Sequence, residues 1–390
     1  MQKHVKPALP KIDCPVVDRC GGCQIQQLSY DQQLAKKQTE VNKLLSKFAK
    51  VEPIIGMTNP YYYRNKIHTT FAMNRKGQVI SGKYQAGSHH VVPIDSCLIE
   101  DQRADEIVVS IRQMLRSFKI KPYHEDSRSG LLRHVLVRTG FQSGQIMVVL
   151  VLGSPVFPSR KNFIKALLEQ HPEITTVVLN VNNKKTSMVL GDREQVLYGK
   201  GFIEDTLCGK SFRLSPKSFY QVNPVQTEVL YSKALDLAEF TGRETIIDAY
   251  CGIGTIGLIA SDRVKQVIGV ELNQAAVKDA INNAKRNQVK NVFFHQADAG
   301  DFMLQIARKK QRVDAVLMDP PRSGSTEKFI QALATMKPKQ VVYISCNPVT
   351  LARDLASLAR KGYQAKRIIP VDMFPGTNHV ETIVSLVRKR

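Results

Sequence analysis

The chain has 390 residues, 43% of them apolar, enough for two or three domains with a sizeable core. Lysine and arginine number 56 against 34 acidic residues, a net charge of +22 spread along the whole length. Solubility needs only a modest net charge, so an excess of this size points to a polyanionic partner, most readily nucleic acid. The opening stretch, residues 1–13, is polar and proline-bearing and does not read as a secretory signal. Nowhere do 18 consecutive apolar residues suggest a membrane span. A cytoplasmic monomer with no membrane partner is the expectation. Seven cysteines in such a chain argue against a disulfide framework and for metal binding or thiol chemistry.

The first 23 residues hold three cysteines and two turn signals and read as an irregular, ligand-organised segment. Residues 29–48 read as a helix capped by Ser29, with Leu34, Val41, Leu44, Leu45 and Phe48 at rough 3–4 spacing. Together, residues 1–50 are expected to form a cysteine-cluster segment with a linker helix. Residues 51–205 turn β-rich. Strand-like runs at 66–73, 134–141, 145–153 and 175–182 are separated by Gly, Asn and Ser turns, and stretches 101–118 and 159–170 look helical. This predicts an α+β domain. From 206 to 390, and clearly from Ser215, short apolar runs at 245–250, 266–272, 291–298, 313–320 and 340–346 alternate with helical stretches. That alternation predicts an α/β, doubly wound, Rossmann-like domain. Strands near 366–371 and 380–387, joined by a loop, suit an antiparallel finish.

The first of these strands runs into Gly252, Gly254 and Gly257, a Gly-x-Gly-x-x-Gly turn that lets a ligand approach backbone N–H groups. The next strand ends in Glu271, whose carboxylate suits a ribose. A nicotinamide dinucleotide fits that spacing equally well. Two further motifs stand at strand ends, where open α/β sheets bind ligands: Asp319-Pro320-Pro321-Arg322 and Ser345-Cys346-Asn347-Pro348. Hydride transfer has no evident use for that cysteine. Near the N-terminus, Cys14, Cys20 and Cys23 have C-x5-C-x2-C spacing with Gly21 and Gly22 between them, and Cys97 follows 74 positions later. Four thiolates can hold zinc or an iron–sulfur cluster, and spacing alone does not choose.

Taken in order, the motifs at residues 215–223, 248–254, 319–322 and 345–348, with His379-Val380-Glu381-Thr382, resemble those of the RNA uracil-5 methyltransferases. The match spans essentially the whole chain. The resemblance implies S-adenosylmethionine as cofactor, held by Gln221, Tyr250, Thr255, Glu271, Asp298 and Asp319; many members have Phe where this chain has Tyr250. It also implies a [4Fe–4S] cluster on Cys14, Cys20, Cys23 and Cys97, as in a subset of the family. Many members carry an N-terminal β-barrel RNA-binding module, for which 13 residues before Cys14 leave no room. The β-rich domain is therefore expected to supply more of the RNA recognition.

Carbon 5 of uracil is a poor nucleophile. Thiolate addition at carbon 6 makes carbon 5 enolate-like, and after methyl transfer a base must remove its proton so that the thiolate can leave. Cys346 suits the nucleophile and Glu381 the base. Asp319 and Arg322 suit orientation of the uracil or of the methionine end of the cofactor. Residues 61–66 and 128–138 place cations beside aromatic and apolar groups, a surface that suits RNA phosphates and exposed bases, with Arg64, Lys66 and Arg133 as contacts. The expected substrate is 23S ribosomal RNA, with transfer RNA as the alternative. A non-catalytic RNA-binding iron–sulfur protein is the reading from a different class, against which Cys346 and Glu381 speak.

Overall fold

The computed structural model describes residues 13–389; residues 1–12, on which the reading of the N-terminus largely rests, lie outside the described residues. Helix α1 (Tyr30–Leu45) starts where Ser29 and Gln32 close a reciprocal cap: Gln32 N donates to Ser29 Oγ at 3.3 Å and Ser29 N to Gln32 Oε1 at 2.9 Å. Its buried stripe is Gln33, Lys37, Val41 and Leu45, half polar. The helix stops three residues short of the predicted end.

Strands β1 (Lys66–Met73), β2 (Val79–Tyr84) and β3 (Val91–Pro93) lead into α2 (Gln102–Ser117), and then follow β4 (Leu132–Thr139), β5 (Ile146–Leu152), α3 (Arg160–Gln170), β6 (Ile174–Val181) and β7 (Arg193–Tyr198). The sheet order is β3-β2-β1-β4-β5-β6-β7, antiparallel except for β5 and β6, which α3 joins as a crossover. Ile67, Phe71, Val135 and Val137 form one core with α2 and α3. Leu136, Met147 and Val149, on the other face, share a core with the second half of the chain. Every residue of β4 and β5 is consequently buried.

The link between the halves is a hairpin of β8 (Ile203–Leu207) and β9 (Lys210–Leu214). Its two turn residues, Cys208 and Gly209, have φ of 49° and 75°, the primed turn that matches strand twist. Then come α4 (Pro224–Leu237), β10 (Thr245–Ala249), α5 (Thr255–Ala260), β11 (Gln266–Glu271), α6 (Gln274–Arg286), β12 (Val292–Gln296) and α7 (Ala299–Arg308). The chain closes with β13 (Ala315–Met318), α8 (Glu327–Met336), β14 (Gln340–Ser345), α9 (Pro348–Arg360), β15 (Tyr363–Val371) and β16 (Glu381–Arg388). The second sheet runs β12-β11-β10-β13-β14-β16-β15, parallel but for β16, the doubly wound arrangement with an antiparallel finish. Helix α1 lies against α9 and β15 of this half, and Glu52 N and Ile55 N extend the contact by donating to Ile368 O and Pro370 O. No helix among the described residues is long and apolar enough to cross a membrane.

Candidate active site

Sheet register brings three sequence-distant residues together. Ser345 of β14 pairs with Thr382 of β16, so Cys346, one step past the first, stands beside Glu381, one step before the second. Asp319 leaves the neighbouring strand β13 at the same edge. All three line one cavity of about 1040 Å³, together with Gln221, Tyr250, Thr255, Glu271, Asp298 and Arg322. Glu381 is 2% exposed and its Oε2 has no hydrogen-bond partner. Burial, with the nearby Asp319 adding to it and Arg322 opposing, pushes the Glu381 carboxyl well up. Burial also raises Asp319, to about 7. The Cys346 thiol goes to about 11, again chiefly by burial, then by the negative charges of Glu381 and Asp319, against Arg322. Asn347 caps α9 through Val349 N and reaches back to Arg322 O, which ties the cysteine turn to the Asp-Pro-Pro-Arg turn.

The glycine turn follows β10. Gly254 has φ of 83°, and a Cβ there would lie 2.6 Å from Phe294 Cζ. Gly257 N donates to Asp248 Oδ2 at 2.8 Å, and a Cβ on Gly257 would meet that same oxygen at 2.8 Å, so the carboxylate requires the glycine. Glu271 accepts Gly252 N at 3.1 Å on one oxygen and Asn273 N at 2.8 Å on the other. It holds the loop in shape and keeps lone pairs facing the cavity. Tyr250, at φ 64°, tilts against Phe329 with ring centroids 5.3 Å apart. Asp298 caps α7 by accepting Asp301 N, and Lys328 lies 3.7 Å from it. Gln221 is buried beside Tyr231.

Sequence reasoning gave no role at this site to Phe219, to Lys37 or to a set of partners of one loop. Phe219 is 67% exposed on the wall of the cavity, an aromatic face presented to it. Lys37 of α1 makes a fully buried ion pair with Asp372 at 2.6 Å and donates to Phe374 O at 3.0 Å. Gln33, Gln24, Ile25 and Tyr63 all hydrogen-bond the backbone of the 372–379 loop that leads to Glu381. No local motif marks Lys37 or the partners of the 372–379 loop, whereas Phe219 lies inside the 215–223 motif.

Cys14, Cys20, Cys23 and Cys97 line the same cavity as Cys346. Among the described residues, no group of three His, Cys, Asp or Glu side chains is arranged to hold a metal ion. The basic surface is corrected in one place. Arg133 is 2% exposed, donates to Asn182 O and to Glu125, and stacks on Tyr123, so it braces the sheet and does not reach RNA.

The family model for tRNA (uracil-5-)-methyltransferase matches residues 29–389. An uncharacterized RNA methyltransferase of Halalkalibacterium halodurans is 43% identical over 99% of this chain and 85% of its own length. One from Clostridium tetani is 40% identical over 97% and 84%. The crystal structure of Pyrococcus abyssi tRNA (uracil-54, C5)-methyltransferase with S-adenosyl-L-homocysteine superposes with a TM-score of 0.78 at 28% identity, covering 96% of this chain and 87% of that one.

Proposed function

Because the chain belongs to the tRNA (uracil-5-)-methyltransferase family, we propose that it methylates carbon 5 of a uracil in RNA, with Cys346 as covalent nucleophile and Glu381 as base. The observation that carries this reading is the register that sets Cys346, Glu381 and Asp319 side by side in the cavity that also holds the glycine turn. The cradle suits S-adenosylmethionine: Glu271 offers lone pairs to ribose hydroxyls, Tyr250 an aromatic face, and Asp298, Thr255 and Gln221 polar groups around it. When bound, that cofactor supplies the methyl group. Cys346 gives its thiol proton to water and adds to carbon 6 as thiolate, and carbon 5 takes the methyl group. The carbon 5 proton then passes to Glu381 in its carboxylate form, and elimination breaks the sulfur–carbon 6 bond to free Cys346. Asp319, raised by burial, donates or accepts at the polar edge of the uracil. Phe219 stacks on a base that must be extruded to enter.

The same reading places RNA recognition in residues 51–205 and a [4Fe–4S] cluster on Cys14, Cys20, Cys23 and Cys97. Cys14 and Cys20 lie near enough to help raise the Cys23 thiol, and Cys97 lines the same cavity, while among the described residues no three such side chains are arranged to hold an ion. Four thiolates around one cavity are a donor set that zinc or a four-iron core can take, and the family resemblance favours the four-iron core. Its contribution would be a mechanical tie between the N-terminal segment and the first sheet. The enzyme acts as a cytoplasmic monomer on 23S ribosomal RNA, a folded polyanion matched to a charge of +22. The second reading, transfer RNA, is favoured by the likeness to the Pyrococcus enzyme. Incubation with methyl-labelled cofactor and either protein-free ribosomal RNA or unmodified transfer RNA decides between them. Label as 5-methyluridine in ribosomal RNA, absent with Cys346→Ala, is the expected result. Label in transfer RNA alone transfers the assignment, and label in neither RNA overturns the function.

A further inference from the structure

The polar face of β1 carries an imbalance of charge that the chain itself does not correct. Lys66 stands opposite Arg138 of β4 in the sheet register, so the two side chains leave the same face. Arg64 folds over the start of the strand, with Nε donating to Lys66 O at 3.1 Å. Among the described residues no carboxylate offsets Lys66: burial and the two arginines push its ammonium down to about 7. Arg138 is 1% exposed, spends Nη2 on Ser218 O at 2.7 Å, and leaves Nε and Nη1 without partners. Glu100, bridged to the backbone of Arg64, is already paired with Lys83 at 2.6 Å. Two histidines on the same face, His68 and His134, are held neutral, pushed to about 3 and 4 by burial first and neighbouring cations second. Buried cations without counter-charge are expensive, so a cluster like this is completed by an anion from outside.

Its place in the fold says which anion. Arg138 grips Ser218 and Asn65 N donates to Val222 O, so the cluster clamps both sides of the loop that presents Phe219 to the cavity. Arg64 itself lines the cavity. We propose that Arg64 and Lys66, backed by the sealed charge of Arg138, seat one backbone phosphodiester of the substrate RNA beside the nucleotide whose base enters the cavity. This rests on the RNA reading above and goes further by naming the phosphate contact. Arg138 acts through charge and through Ser218, because its guanidinium has no exposed surface.

The test uses the full-length protein and a fluorescent, uridine-containing RNA hairpin, with binding followed by anisotropy over a series of KCl concentrations. Each phosphate contact contributes about 0.7–0.9 to the slope of log K against log salt. Lys66→Gln and Arg64→Gln, both at partly exposed positions, should each lower the slope, the double variant by about that amount for the one phosphate, and the double variant should weaken binding roughly tenfold near 0.1 M salt. Lys66→Arg should keep the slope, and calorimetric affinity for S-adenosylmethionine should stay unchanged throughout. A wild-type slope in both Gln variants, with or without weaker binding, overturns the seat. A wild-type protein that binds the hairpin without salt dependence, or methylates no RNA, sinks instead the functional reading on which it rests.

Discussion

Cys346 is a weak nucleophile until it loses its proton, and its surroundings resist that loss. Burial, Glu381 and Asp319 raise the thiol to about 11, so at neutral pH the resting group is protonated. Below that value the thiolate fraction climbs with pH, and kcat/KM reports groups of the free enzyme. The expected profile therefore rises steeply, by up to about tenfold per unit, between pH 7 and 9. A flat profile across that window would show Cys346 already ionised before RNA arrives. Glu381 makes the complementary prediction. Its Oε2 is buried and unpartnered, and the residue lines the cavity. Glu381→Gln should stall after methyl transfer and leave a protein–RNA adduct that survives denaturing electrophoresis; full turnover without adduct removes Glu381 from the base role. Both residues could be named from motifs because chemistry fixes their type. Arg133 was misjudged because exposure of a strand residue depends on what covers the sheet, and here Glu125, Tyr123 and the 182–184 backbone do so.

Among elements, helix α1 does more than link. Lys37 and Asp372 form a pair with exposures of 1% and 0%, fixing the helix to the loop before Glu381. Removing one partner of such a pair strands a buried charge, at a cost of about 3–5 kcal/mol. Lys37→Met should lose about that much stability in urea unfolding, and Lys37→Met with Asp372→Asn should recover part of it. Losses that simply add in the double variant would mean the pair carries no special energy. The alternating runs of the second sheet were legible because parallel strands buried on both faces read as apolar blocks. Strand β7 was not, since its residues are nearly all exposed and show no apolar alternation. The β8–β9 hairpin also escaped notice: its turn is Cys208-Gly209, and a cysteine at positive φ is no standard turn signal. Helix α1 was read with its stripe on leucines, whereas the buried row begins with Gln33 and Lys37, whose partners lie more than 330 residues away.

At the scale of the whole molecule, Cys14, Cys20, Cys23, Cys97 and Cys346 line one cavity. With the proposed cluster in place, anaerobically purified protein should hold iron and sulfide near four each, and Cys20→Ser should bleach it. Because Gln24 N and Ile25 N donate to Gly376 O at 3.1 and 3.0 Å, loss of the cluster should also speed hydrogen exchange in residues 372–379. Stoichiometric zinc without iron, or exchange unchanged on bleaching, would separate the cysteines from the loop. The Lys37–Asp372 contact has one more consequence, in time rather than space. Its partners stand 335 residues apart. At translation rates of about 5–20 residues per second, α1 emerges roughly 20–70 s before the aspartate it needs. During that interval a buried-type lysine, its cap already formed, waits in water on a helix with no partner. The loop that leads to the base is then the last part of the site to be fastened, so nascent chains acquire a cofactor cradle before they acquire the means to finish a turnover.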